Sequence, residues 1–292
     1  MEHSVIEIRN LRKDFGNKNA LNHLSLSIPP GSVYGLLGRN GEGKTTLMKC
    51  VLGLLRPSAG SIAVLGDDPW QFKESTKEKI GYVPQADRPY PWLTVRQLIN
   101  YTASFYRRWN KPLVERLLQE WRVEADEKVG LLSEGQAQKV SIILSLGHEP
   151  ELLIFDEPVA SLDPGARRQF LKTILEIVSD RVCTIFFSTH ITSDLERVAD
   201  RLAILKNGHI AFSGELDVLK DEVKRLRIYT EQKLPTDFSL EGLVSMELSH
   251  KEAMVSIRGF RPELKAYIER TWNARVEIED LNLEEIFLEL SQ

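Results

Sequence analysis

The chain has 292 residues, a length that predicts about two domains. Hydrophobic residues make up 42% and charged residues 27%, an ordinary globular composition that excludes a disordered chain, a collagen-like repeat and a disulfide-stapled miniprotein. Lysine and arginine (38) against aspartate and glutamate (42) leave a formal net charge of −4, which argues against nonspecific DNA binding, and no nucleic-acid partner is expected.

In chain order, residues 4–10 read as a strand, and residues 24–28 (LSLSI) alternate as a half-buried strand does. Residues 33–37 (VYGLL) are an apolar strand entering a glycine-rich loop, and residues 44–55 then show helical spacing, closed by Arg56-Pro57. Residues 61–65 (SIAVL) are a further strand. From about 94 to 129 the spacing is helical, with Leu98, Tyr101, Phe105 and Trp109 in one stripe and Leu113, Leu117, Leu118 and Trp121 following. Strand pattern returns at 152–155, 182–187 and 201–205, around a helix at 165–179. Apolar strands alternating with helices imply a mostly parallel sheet covered on both faces. Beyond about residue 220, strands are expected at 226–230, 245–248, 253–257 and 275–278, with helices at 262–272 and 284–290.

The expected N-terminus, MEHSVIEIRN, lacks an apolar stretch after a basic start, so no signal peptide is expected. No segment reaches the roughly 18 consecutive apolar residues of a spanning helix, so a membrane role is expected only through a partner. Cys50 and Cys183 sit in apolar runs without a CxxC neighbour and read as buried, reduced thiols of a cytosolic protein.

Residues 38–46 (GRNGEGKTT) fit G-x-x-x-x-G-K-[ST] between an apolar strand and a helix, the context a phosphate loop requires. Gly38, Asn40, Gly41, Gly43, Lys44, Thr45 and Thr46 are therefore the candidate nucleotide-binding residues. Glycines let the backbone wrap phosphate, and the helix N-terminus adds partial positive charge. Lys44 is expected to reach the β- and γ-phosphates, and the Thr45 hydroxyl to ligate Mg²⁺. Residues 152–157 (LLIFDE) end a buried strand on two acids. Behind a phosphate loop, Asp156 is expected in the Mg²⁺ shell and Glu157 as the group that orients or deprotonates the attacking water.

With further motifs, these segments resemble the ATP-binding cassette (ABC) family. Residues 132–136 (LSEGQ) resemble its LSGGQ signature, Gln85 in GYVPQ its Q-loop glutamine, Ser161-Leu162-Asp163 its D-loop and His190 in Ser188-Thr189-His190 its switch histidine. The resemblance spans about residues 4–220 and implies an α/β P-loop NTPase core with a mostly parallel sheet. It also implies an N-terminal antiparallel β-subdomain and a helical signature subdomain at about 90–147. The expected domains are a 1–220 ATPase domain and a small α/β appendage at 221–292.

By position, Phe15 resembles the aromatic that stacks on adenine, with an ordinary core residue as the alternative. Gln85 would sense Mg²⁺ and water, and His190 would contact the γ-phosphate or hold Glu157. Ser133, Gly135, Gln136 and Asp163 would serve the ATP bound to an opposite subunit, although Ser133 also reads as a helix N-cap. This implies a second cassette, either another copy or a paralogous ATPase, and an integral membrane permease. It places the chain in the cytoplasm, peripheral on the membrane face. Glu134, Arg39 and Val159 depart from the family's common glycine, proline and threonine without removing a catalytic group. Tyr90 and Trp92 suit either a permease-facing groove or the interior of the helical subdomain. Residues 280–287 (DLNLEEIF) resemble the end of bacterial single-cassette ATPases of the drug, bacteriocin and sodium export group, with Asn282 placed as an N-cap. The implied function is the ATP-hydrolysing subunit of an exporter; the alternative is a soluble ABC ATPase acting on ribosomes or nucleic acid.

Overall fold

The computed structural model describes residues 4–85, 88–180, 183–231, 240–249 and 251–290. β1 (Ile6–Phe15) and β2 (Lys18–Ile28) form an antiparallel hairpin, and β4 (Ala59–Val64) pairs antiparallel on the other side of β1. Between them, β3 (Val33–Leu37) enters the glycine-rich loop and α1 (Lys44–Val51) leaves it. The short α2 (Glu74–Lys77) leads to β5 (Ile80–Val83). Three helices follow, α3 (Val95–Ala103), α4 (Lys111–Glu120) and α5 (Glu134–Leu146). The chain then returns through β6 (Leu152–Asp156), α6 (Pro164–Asp180), β7 (Thr184–Thr189), α7 (Thr192–Val198), β8 (Arg201–Lys206) and β9 (His209–Glu215).

Six strands assemble in the order β5-β6-β7-β3-β8-β9, with β5, β6, β7, β3 and β8 mutually parallel. Every residue of β3, β6 and β7 is buried, as a sheet covered on both faces requires. In such a sheet the loops after the strands' C-terminal ends gather at one edge. The loops after β3, β5, β6 and β7 carry the phosphate loop, Gln85, Glu157 and His190. Topology therefore brings these distant segments together.

The chain divides into two compact units, Met1–Ser213 and Gly214–Gln292. The second starts with α8 (Leu216–Glu222) and contains β10 (Val223–Thr230), β11 (Leu243–Leu248), β12 (Glu252–Arg258), α9 (Pro262–Trp272), β13 (Ala274–Asp280) and α10 (Leu283–Leu290). Its antiparallel sheet runs β11-β12-β10-β13. Leu226, Ile228, Val255, Ile257 and Val276 share a core with Ile268 of α9.

The single helical stripe expected through Trp109 is not formed. α3 stops at Ala103, where the Ser104 hydroxyl donates to the Tyr101 carbonyl, and Tyr101 and Phe105 are exposed. The Trp109 ring instead fills the space a side chain on Gly147 would need. α1 is shorter than expected, because Gly53 at φ 68° turns the chain. The expected strand residue Val182 lies outside the described residues, as does its neighbour Arg181. Both cysteines are buried, and neither forms a disulfide among the described residues.

Candidate functional site

The phosphate loop needs glycine for a steric reason. Gly43 sits at φ 108°, and a Cβ there would lie 2.6 Å from the Ala20 carbonyl oxygen. α1 follows with no side-chain cap and no acid in its first turn, so its first N–H groups are open to an anion. Lys44 is 5% exposed, and its ammonium donates to the carbonyls of Gly38 at 2.7 Å and Arg39 at 3.2 Å.

The same ammonium lies 3.0 Å from Glu157 Oε1. That oxygen receives no well-aligned hydrogen bond, so the ion pair is its compensation. Glu157 Oε2 is 2.8 Å from His190 Nδ1. Since a carboxylate only accepts, Nδ1 carries the proton in this contact. Lys44, Glu157 and His190 thus form a continuous polar chain. Glu157 is 4% exposed and holds φ 51°, a left-handed conformation uncommon for a residue with a side chain.

Asp156, 1% exposed, accepts at Oδ1 from the Thr45 hydroxyl at 3.1 Å and from the Ser188 hydroxyl at 2.9 Å. A cleft of about 340 Å³ is lined by Asn40, Gly41, Gly43, Lys44, Thr45, Thr46, Gln85 and Glu157, with Lys18 at its wall. Among the described residues no group of three or more His, Cys, Asp or Glu could hold a metal alone. The pair Thr45–Asp156 beside a donor-rich cleft instead fits a cation carried in with phosphate oxygens.

Phe15, Ser133, Gly135, Gln136 and Asp163 do not line this cleft. Phe15 is 49% exposed, so the core alternative does not hold, and the Lys13 ammonium stands 5.1 Å from its ring centre. Ser133 caps α5 in a full capping box: its hydroxyl accepts from the Gln136 amide, and Gln136 Oε1 accepts from the Ser133 amide. Glu134 is exposed in the first helical turn, where an acid suits the helix dipole. Gly135 packs so closely that a Cβ would meet the Ser161 carbonyl oxygen at 2.9 Å. Asp163 Oδ1 accepts from the Ala166 and Gly165 amides at the start of α6, and these bonds hold its carboxyl below the usual range. Tyr90 and Trp92 stack edge to face on the surface with Tyr101, Trp92 being 68% exposed, so they are not interior residues of the helical subdomain.

Three contacts escaped the sequence reading. One is the Ser188 hydroxyl at Asp156. Another is Glu42, whose carboxylate accepts from the Asn207 amide and ties the phosphate loop to the turn between β8 and β9. The third is Arg167 facing Asp194 at 3.8 Å between α6 and α7. Burial pushes the Asp194 carboxyl up, against the pull of Arg167, Arg197 and His190.

The family described as ABC transporter matches residues 21–160. The bacitracin transport ATP-binding protein BcrA of Bacillus licheniformis is 33% identical over 79% of this chain and 75% of its own length. The Nod factor export ATP-binding protein I of Burkholderia orbicola is 32% identical over 100% of this chain and 98% of its own. A solved ATP-binding subunit of an ABC transporter superposes with a TM-score of 0.67 at 30% identity, covering 73% of this chain and 91% of that one.

Proposed function

The chain belongs to the ATP-binding cassette transporter family, and from that premise we propose how its residues turn ATP hydrolysis into an export step. It is the ATP-binding, ATP-hydrolysing subunit of an ABC transporter, and its relatives include a bacitracin transport and a Nod factor export ATP-binding protein. Among the described residues no helix is long and apolar enough to cross a membrane. We place the translocation path in a separate permease, which holds this subunit at the cytoplasmic membrane face.

The observation that carries the site reading is the chain Lys44–Glu157–His190 at the end of the phosphate loop. Lys44 neutralises the buried Glu157. Phosphate oxygens would draw the ammonium away, leaving Glu157 free to take a proton from water attacking the γ-phosphate. His190 keeps the Glu157 carboxylate oriented through Nδ1. Asn40, Gly41, Gly43 and Thr46 cradle the phosphates with Gly38 closing the loop, and Phe15 offers its exposed ring to the base. Thr45, Asp156 and Gln85 would hold Mg²⁺, which supplies charge neutralisation at the phosphates.

Ser133, Gly135, Gln136 and Asp163 stand outside the cleft of their own chain. We assign them to the ATP of a second cassette, paired head to tail so that each site takes residues from both. Tyr90 and Trp92 form an exposed aromatic surface suited to a permease segment.

The test is purification of the Glu157→Gln protein with ATP from detergent-solubilised membranes of its own cells, followed by mass spectrometry. A multi-span protein in stoichiometric amount is expected. Ribosomal or nucleic-acid-bound proteins with no membrane protein would replace the transporter reading by a soluble one.

A further inference from the structure

The structure assigns to Ser188 a positioning role in this hydrolysis, an inference that rests on the reading of Asp156 and Glu157 above. Ser188 is fully buried on β7, in register with Asp156 of β6 and Leu36 of β3. A hydroxyl in that apolar interior is costly unless it is bonded. It makes two bonds, and both go to the reaction site. Its O–H donates to Asp156 Oδ1 at 2.9 Å, and its oxygen accepts from the Glu157 amide at 3.0 Å.

One hydroxyl therefore sets two catalytic groups at once. β6 ends at Asp156, and Glu157 leaves the ladder at φ 51°. Its N–H is deep in the protein and has lost the sheet as an acceptor, and Ser188 supplies the replacement. With that bond, the left-handed turn is fixed and the Glu157 carboxylate stands between Lys44 and His190. The same hydroxyl shares Asp156 Oδ1 with Thr45, which fixes the rotation of that carboxylate. Ser188 does not itself line the cleft and bonds only to Asp156 and Glu157, so it is a positioning residue and acts through those two neighbours.

The experiment compares wild type, Ser188→Ala, Ser188→Thr and Glu157→Gln in the full chain. Steady-state ATPase assays give kcat, KM for ATP and the Mg²⁺ concentration for half-maximal turnover. Hydrogen exchange of the peptide containing Glu157 is followed in nucleotide-free protein. Ser188→Ala is expected to lower kcat about tenfold, from a barrier raised by about 1.4 kcal/mol, and to change KM less than about twofold. Its Mg²⁺ requirement should rise and the Glu157 amide should exchange faster, while Ser188→Thr, which keeps the hydroxyl, restores protection and most of kcat. Wild-type kcat and exchange in Ser188→Ala would overturn the role. So would equal losses in the alanine and threonine variants with Mg²⁺ dependence unchanged, since that is the signature of packing alone. Full turnover in Glu157→Gln would remove the underlying site reading; a stalled Glu157→Gln beside an unaffected Ser188→Ala would remove only the role of Ser188.

Discussion

Lys44 has two duties that a single substitution separates. In the structure it is the charge partner of a carboxylate that is 4% exposed. Removing one member of a buried pair strands the other, at a cost of about 3 kcal/mol. Lys44→Ala should therefore lower the melting temperature without nucleotide as well as abolish ATP binding, which calorimetry and nucleotide titration read separately. Gly135→Ala acts differently. The new methyl would press on the Ser161 carbonyl at 2.9 Å and shift the start of the D-loop. ATP affinity of the single subunit should stay unchanged while turnover falls about tenfold or more; a binding titration beside an ATPase assay distinguishes the two effects. Lys44, Thr45, Asp156 and Glu157 were legible because their chemistry is written in contiguous, closely spaced motifs. Ser188 and Glu42 were not. Their contacts arise from the register of β6 on β7 and from the turn after β8, which local spacing does not encode.

Elements were legible where burial is uniform or strictly one-sided. β3, β6 and β7 are buried at every position, and their apolar stretches at 33–37, 152–155 and 185–187 carry the strand signal. β9 is mostly half-exposed and short on apolar residues, and α7 and α8 span only seven residues each, so none gave a periodic signal. The last helix shows how a polar face can be an anchor. Asn282 caps α10, and its carboxamide oxygen accepts from the Glu285 amide at 2.9 Å. Behind the cap, Glu289 Oε1 pairs with Arg225 of β10 at 3.0 Å, and Oε2 accepts from the Ser245 hydroxyl of β11 at 2.5 Å. Burial pushes the Glu289 carboxyl up, but the bonds from Ser245 and Arg225 outweigh it, and the net shift is below the ordinary value of 4.5. A lowered folded-state value means the anchor is fully present above 4.5 and is lost as the pH falls through the lowered value. Glu289→Gln should cost about 2 kcal/mol near neutral pH. Its melting temperature should also fall less steeply than that of the wild type on acidification. Parallel pH profiles for the two proteins would show that Glu289 is not the linked group. At the start of α5, Ser133→Ala should cost about 1 kcal/mol through the lost cap, seen in thermal melts without nucleotide.

At the scale of the whole molecule, one subunit holds a near-complete nucleotide cleft and leaves its signature residues outside it. Ser133, Gly135, Gln136 and Asp163 gain a role at ATP only if a second cassette turns its own phosphate loop toward them. The carboxylate of Glu157, once converted to an amide, keeps its shape and cannot take the proton, so ATP bound between two such subunits should persist. The decisive measurement is the solution mass of the Glu157→Gln protein by light scattering, with ATP and Mg²⁺ and without them. The account predicts two copies of the 33.3 kDa chain with nucleotide and a single copy without it. A single copy with ATP demonstrably bound would contradict the pairing of this chain with itself, because its signature and D-loop residues would then have no phosphate of a second copy to meet.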